Sequence, residues 1–252
     1  CISSAPGPAN TTFSVLAWKP SNAINKNPFI LVGKGVVYDT GGMNLKPGTY
    51  LDTMKSDMAG AATGAGILYL AGMNKLPYHL IGLIPATDNR PDGNAYVPDD
   101  VITMHNGKTV EIVNTDAEGR MIMADALSFA RQYEPELVFD FATLTGSASG
   151  AIGPQGIVSM STAGDAIMKK LKESGYATHE RIVELPLWDE YAEMIKSDVA
   201  DIKNVGGKEA GAITAGKFLE NFVDYPWIHL DIAPVAFLDK KDSYRGKGGT
   251  GT

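Results

Sequence analysis

Apolar and polar positions fall into blocks along this chain that read by turns as strands and helices. Phe13 to Trp18 and Phe29 to Val37 are apolar runs separated by the polar stretch Lys19 to Asn27. The second continues to Tyr38 and is apolar on both faces except for Lys34, the pattern of a strand buried between two layers of helices. A helix is predicted from about Met58 to Asn74, and its small residues, Ala59-Gly60-Ala61-Ala62-Thr63-Gly64-Ala65-Gly66, imply very close packing against a sheet. Tyr78 to Ala86 predicts a further strand, followed by a loop from Thr87 to Asp100. Val101 to Met104 and Thr109 to Val113 flank Asn106-Gly107, a dipeptide that favours a type I′ hairpin turn. Met121 to Ala130 repeats apolar residues at helical spacing and predicts a buried helix. Leu137 to Ala142, Gly156 to Met160 and Trp227 to Ile232 read as strands. Helices are predicted around Ala163 to Ser174, Trp188 to Ser197 and Thr214 to Val223, with a glycine-rich loop from Asn204 to Gly211. The alternation predicts one α/β domain with a mostly parallel sheet.

Composition changes that picture little. The 252 residues are 44% hydrophobic and 20% charged, without a repeat or a clear linker between residues 12 and 240. The expectation is a single domain over 1–252, with loop-like ends at Cys1 to Asn10 and Lys247 to Thr252. A net charge of −7 argues against nucleic acid as partner, since phosphates need a basic footprint. No apolar run reaches spanning length, which argues against a membrane. The lone cysteine, Cys1, excludes an internal disulfide framework and fits a reducing, cytoplasmic setting.

Candidate chemistry is concentrated in Asn114-Thr115-Asp116-Ala117-Glu118-Gly119-Arg120, between the hairpin and the helix at Met121. If a strand ends there, Asp116 and Glu118 are two apart in extended backbone and point to one side. Gly119 would let the chain turn tightly, and Arg120 would open the helix beside N–H groups that attract an anion. A lone acidic pair more often caps a helix. Here a second cluster exists upstream: Lys34, Asp39 before Thr40-Gly41-Gly42, Lys46 before Pro47, and Asp57 at a helix start. The strand-to-helix corner Thr143-Leu144-Thr145-Gly146 is of the kind that lines sites in open α/β sheets. Four carboxylates converging at about 4 Å would repel by roughly 4 kcal/mol per pair at an effective dielectric near 20. Two divalent cations cancel that charge, and oxygen ligands in this number suit Zn, Mn, Co or Mg. His79, His105, His179 and His229 lie outside the clusters. Such a centre points to hydrolysis. Asp39-Thr40-Gly41 also matches the aspartic-protease triplet, but occurs once where two carboxylates must share a proton.

Val32-Gly33-Lys34-Gly35 with Tyr38-Asp39-Thr40-Gly41-Gly42, Met54-Lys55-Ser56-Asp57-Met58 and Asn114 to Arg120 resemble the cytosol leucyl aminopeptidase family. The match continues through Asp140 to Gly146 and His229 to Ala233, so it covers nearly the whole chain. The resemblance implies a three-layer αβα sandwich with a mostly parallel mixed central sheet. It implies two divalent metal ions held by Lys34, Asp39, Asp57, Asp116 and Glu118, with Asp39 and Glu118 bridging. Asp116 would serve one ion, Lys34 with Asp57 the other. Catalytic roles fall to Lys46, which would stabilise the oxyanion, and to Arg120, which would hold a bicarbonate that relays protons. The substrate would be a peptide with a free amino terminus, its first residue leucine or another apolar one, seated by Met54, Asn114, Thr143, Leu144, Gly146, Ala233 and Ala236. Family members form homo-hexamers. Pro234 stands where many relatives have glycine, and by the resemblance an amino-terminal domain and a further terminal segment would be expected beyond these residues. The alternative expectation is a catalytically impaired, metal-binding scaffold or regulator.

Overall fold

A computed structural model describes residues 11–251; the loop expected at Cys1 to Asn10 lies outside them. The strands are β1 (Thr12–Trp18), β2 (Phe29–Gly33), β3 (Gly35–Asp39), β4 (Leu80–Asn89), β5 (Val101–Thr103), β6 (Thr109–Glu111), β7 (Leu137–Ala142), β8 (Ile157–Ser161), β9 (Ile182–Glu184), β10 (Ile202–Lys203), β11 (Trp227–Asp231), β12 (Phe237–Leu238) and β13 (Gly248–Gly249). The helices are α1 (Ala59–Met73), α2 (Glu118–Ala130), α3 (Gly146–Ile152), α4 (Asp165–Thr178), α5 (Glu190–Glu193) and α6 (Gly211–Glu220). An eight-stranded sheet runs in the order β1-β4-β2-β7-β11-β8-β9, with β3 also on β4. Only β1 on β4 and β8 on β11 pair antiparallel; the other pairs of this sheet are parallel.

Helices cover both faces, because the central strands are apolar on both. Ile30 and Val32 of β2 pack with Leu127 of α2 and Phe218 of α6, whereas Leu31 between them packs with Leu68 of α1 and Met168 of α4. That alternation is the period of two expected of a strand. The result is the expected layered α/β sandwich around a mixed, mostly parallel sheet. The small residues of α1 have the close-packing role their composition implied. A methyl group on Gly60 would strike the carbonyl oxygen of Phe141, and one on Gly33 would strike the backbone of Gly60 and Ala61.

Several boundaries differ from the sequence expectation. The run from Phe29 to Tyr38 is two strands, broken at Lys34, because the Lys34 backbone N–H donates to Phe141 O (2.9 Å) and its carbonyl accepts from Ala61 N (2.9 Å). The hairpin is present, but of Asn106 and Gly107 only Gly107 has a positive φ, +88°. Gly107 N donates to Met104 O and Met104 N to Lys108 O, so the turn is not type I′, which needs positive φ at both. The stretch around Trp188 to Ser197 holds only the short α5, flanked by hydrogen bonds of i→i+3 type such as Tyr191 N to Trp188 O. The tail pairs as β13 on β12 rather than remaining loop.

Candidate metal centre

The carboxyl ends of the parallel strands meet at one edge of the sheet, and the break between β2 and β3 places Lys34 there, 3% exposed. Its Nζ lies 2.8 Å from each Asp57 oxygen, 3.1 Å from Glu118 Oε1 and 3.1 Å from Thr143 O. Gly119 is what lets it pass. A Cβ there would sit 2.5 Å from Lys34 Cε and 2.7 Å from Nζ. Gly119 therefore supplies space beside the lysine inside α2, not the tight turn read from the sequence. Likewise, Asp116 and Glu118 are not on extended backbone: Thr115–Ala117 form a 3-10 turn capped by Asn114 Oδ1, which accepts from Asp116 N (2.8 Å), and Glu118 begins α2. Glu118 and Arg120 thus reach the site from the first turn of a helix, where N–H groups favour negative charge.

A second lysine completes the set. Lys46 Nζ contacts Asp39 Oδ2 at 2.8 Å and Asp116 Oδ1 at 2.5 Å. Asp39 Oδ1 accepts from Gly41 N and from Asn89 Nδ2, each at 2.8 Å. Asp39 meets no second Asp-Thr-Gly loop, and Lys34 with Lys46 overcomes its burial to hold its carboxyl below the usual range. It is ionised, unlike a carboxyl that shares a proton. Burial pushes Asp57 and Asp116 up, against the pull of the lysines. Glu118 is pushed up to about 8 by burial, with Lys34 opposing and the other three carboxylates adding repulsion. Burial disfavours the Lys34 cation, yet Asp57, Glu118 and Asp39 outweigh it and raise its pKa.

Oxygens of Asp39, Asp57 and Glu118 lie within 4.8 Å of one another. Asp57 Oδ2, Asp116 Oδ1 and Glu118 Oε1 are buried oxygens that each contact a lysine ammonium, at 2.8, 2.5 and 3.1 Å. Converging hard oxygen donors at this spacing fit divalent cations. Arg120 is 8% exposed and makes one hydrogen bond, Nη1 to Asn204 O (2.7 Å), while its Nε has none. Burial lowers its pKa to about 10, with Glu118 and Asp231 opposing, so it remains a cation.

These groups open into a cavity of about 720 Å³. Met54, Asn114, Thr143, Leu144, Gly146, Ala233 and Ala236 all line it. Two asparagines escaped the sequence reading. Asn204, fully buried, accepts from the N–H groups of Val113 and Asn114 and donates to Asn114 O, fixing the start of the heptapeptide. Asn89, also fully buried, bonds Asp39. Neither carries a charge or a motif that marks it in a sequence; the only signal is its place at the end of a strand or in a glycine-rich loop.

Residues 2–252 match the cytosol aminopeptidase family, catalytic domain. A probable cytosol aminopeptidase of Geobacter sulfurreducens is 51% identical over 242 residues, which are 95% of this chain and 48% of that protein. The chain thus spans about half the length of the curated relatives it matches. Among solved structures, a cytosol aminopeptidase from Coxiella burnetii superposes with a TM-score of 0.90 at 38% identity, over 97% of this chain and 53% of that one. The bottromycin maturation enzyme BotP in complex with Mn gives 0.92 at 34% identity, over 97% and 54%.

Proposed function

The chain belongs to the cytosol aminopeptidase family, and from that premise we propose that it acts as a metal-dependent aminopeptidase on peptides with a free amino terminus. The observation that carries this reading is the convergence of four carboxylates and two lysines on one cavity edge. In this reading Lys34, Asp39, Asp57, Asp116 and Glu118 hold two divalent ions, zinc or manganese foremost. Asp39 and Glu118 would serve both ions, Asp116 one of them, and Lys34 with Asp57 the other. Divalent ions held by these residues would supply Lewis-acid polarisation of a carbonyl and a water activated at neutral pH.

The protein's own groups have separable tasks. Lys34 binds an ion only as the neutral amine, so loading the site releases its proton. Lys46 lines the cavity with its ammonium held by Asp39 and Asp116, a donor placed for the oxyanion that develops on the carbonyl. Arg120 keeps its Nε free beside the first turn of α2, a setting that would hold a bicarbonate able to exchange protons with the reacting groups. Met54, Thr143, Gly146, Ala233 and Ala236 offer a largely apolar wall for the first side chain.

Hydrolysis of a leucine anilide against its N-acetylated counterpart tests the reading, with added Mn or Zn and then with chelator. The expected result is metal-dependent cleavage of the free amine alone. Cleavage of both compounds, or cleavage that survives verified metal removal, would contradict it. Tight metal binding with no cleavage of any free-amine peptide would favour a scaffold instead.

A further inference from the structure

We propose that Asn89 is a positioning residue for the metal pair: one neutral amide holds both carboxylates, Asp39 and Glu118, that the functional reading shares between the two ions. The inference rests on that reading. β4 extends beyond the Ala86 boundary expected from the sequence to Asn89, and β3 pairs Asp39 with Asn89 across an irregularity in the ladder. Thr40 fixes the backbone there, donating to Asn89 O from its N–H (2.9 Å) and its hydroxyl (2.8 Å).

From this anchored position the side-chain Nδ2 shares its two hydrogens among three acceptors, Asp39 Oδ1 (2.8 Å), Thr115 O (3.1 Å) and, at the longest distance, Glu118 Oε2 (3.4 Å). The amide thereby joins the strand that carries one shared carboxylate to the turn and helix that carry the other. Each carboxylate keeps its second oxygen on a lysine: Asp39 Oδ2 on Lys46 and Glu118 Oε1 on Lys34. The amide can face only one way. Reversed, its oxygen would meet three acceptors. In the observed orientation Oδ1 has no hydrogen bond and lies where a Cβ on Gly42 would come within 2.8 Å, so the absence of a side chain at Gly42 makes its room.

Neutrality matters as much as reach. An ammonium or guanidinium in this place would hold the same oxygens but repel a divalent cation, and a carboxylate would add to the repulsion already raising Glu118. Asn89 is fully buried and does not line the substrate cavity, so it acts on the chemistry only through the two carboxylates. Hydrogen-bond partners behind metal ligands set their orientation, and losing one typically weakens binding by roughly 10–100-fold.

Mn²⁺ titration of the wild-type protein and of Asn89→Ala, read by calorimetry, tests the inference together with steady-state kinetics on leucine anilide at saturating Mn²⁺. The expected result is weaker binding of both ions by roughly 10–100-fold, with kcat reduced and KM within about twofold of wild type. Wild-type protein that takes up no Mn²⁺ would overturn the functional reading and this inference with it. Wild-type protein that binds two ions beside a folded Asn89→Ala of equal affinity would overturn the inference alone. So would a variant whose KM changes while kcat and both affinities do not. Where Asn89→Ala does not fold, Asn89→Ser carries the test: a single hydroxyl donor serves one carboxylate, so unchanged affinity for both ions contradicts the proposal.

Discussion

At Asp140, in the middle of β7, both carboxylate oxygens are closed off inside the protein: Trp227 Nε1 donates to one and His229 Nδ1 pairs with the other, each at 2.6 Å. All three residues are fully buried. At the end of the same sheet, Asp57, Asp116 and Glu118 each turn a buried oxygen toward a lysine ammonium, and the groups around them open on a cavity of about 720 Å³. Burial of charge is common to both regions. The difference lies in how the carboxylates are held. The one in the closed region is fixed by an indole and an imidazole inside the core. Those of the open region crowd against two lysine ammonium groups at a cavity, where burial and then mutual repulsion raise the pKa of Asp57, Asp116 and Glu118. On this comparison the two regions answer to different experiments.

The largest effect is expected at the open region. Lys46→Ala should reduce kcat by roughly 10²–10³-fold, the usual loss of one oxyanion donor, while both metal affinities stay near wild type. Normal turnover by this variant, measured at saturating metal, would remove the assigned role. Next, Asp57→Ala should weaken one ion far more than the other in a metal titration, because the proposed function gives Asp57 to one ion and Asp39 and Glu118 to both. Equal losses would contradict that division. At the closed region, Asp140→Ala should cost about 3–5 kcal/mol in denaturant unfolding, as breaking one half of a buried pair does, with metal stoichiometry unchanged. If stoichiometry fell with stability, the two regions would not be separable.

Two pH effects sharpen the contrast. Under the proposed function, metal binding takes a proton from Glu118, pushed up to about 8 by burial, and from Lys34, raised above its ordinary value. Affinity should therefore climb as pH rises toward and through about 8; an affinity flat in pH would show that neither proton is displaced. His229 works the other way round and on stability alone. Burial disfavours its cation, but Asp140 outweighs burial and raises its pKa above 6.5. Its contribution is complete below about pH 6.5 and fades as pH rises through the folded-state value. The melting-temperature difference between wild type and His229→Asn should shrink by roughly a few degrees from about pH 6 to about pH 9. A constant difference would mean that His229 stays neutral in the fold.

Much of this arrangement was legible in the residues. β7 has the boundaries its apolar run predicted, and the Ala- and Gly-rich segment after Asp57 is the tightly packed α1. The charged candidates also came together, because most stand at a strand end or a helix start, where a parallel sheet gathers its ends, and Lys46 reaches them from the loop after β3. What the pattern missed is decided by tertiary contacts. The strand break at Lys34 comes from hydrogen bonds to Phe141 and Ala61, which are distant in sequence. The helical placement of Glu118 beside Lys34 depends on Gly119 having no side chain. Asn89 and Asn204 are neutral polar residues whose importance lies wholly in what they touch.

The most direct test of the contrast between open and closed charge is a count of ions by native mass spectrometry after Mn²⁺ loading, on wild type, Asp39→Ala and Asp140→Asn. The account predicts two ions per chain in wild type and in Asp140→Asn, and loss of both in Asp39→Ala. Wild-type protein that binds fewer than two ions, or Asp39→Ala that keeps both, would contradict it.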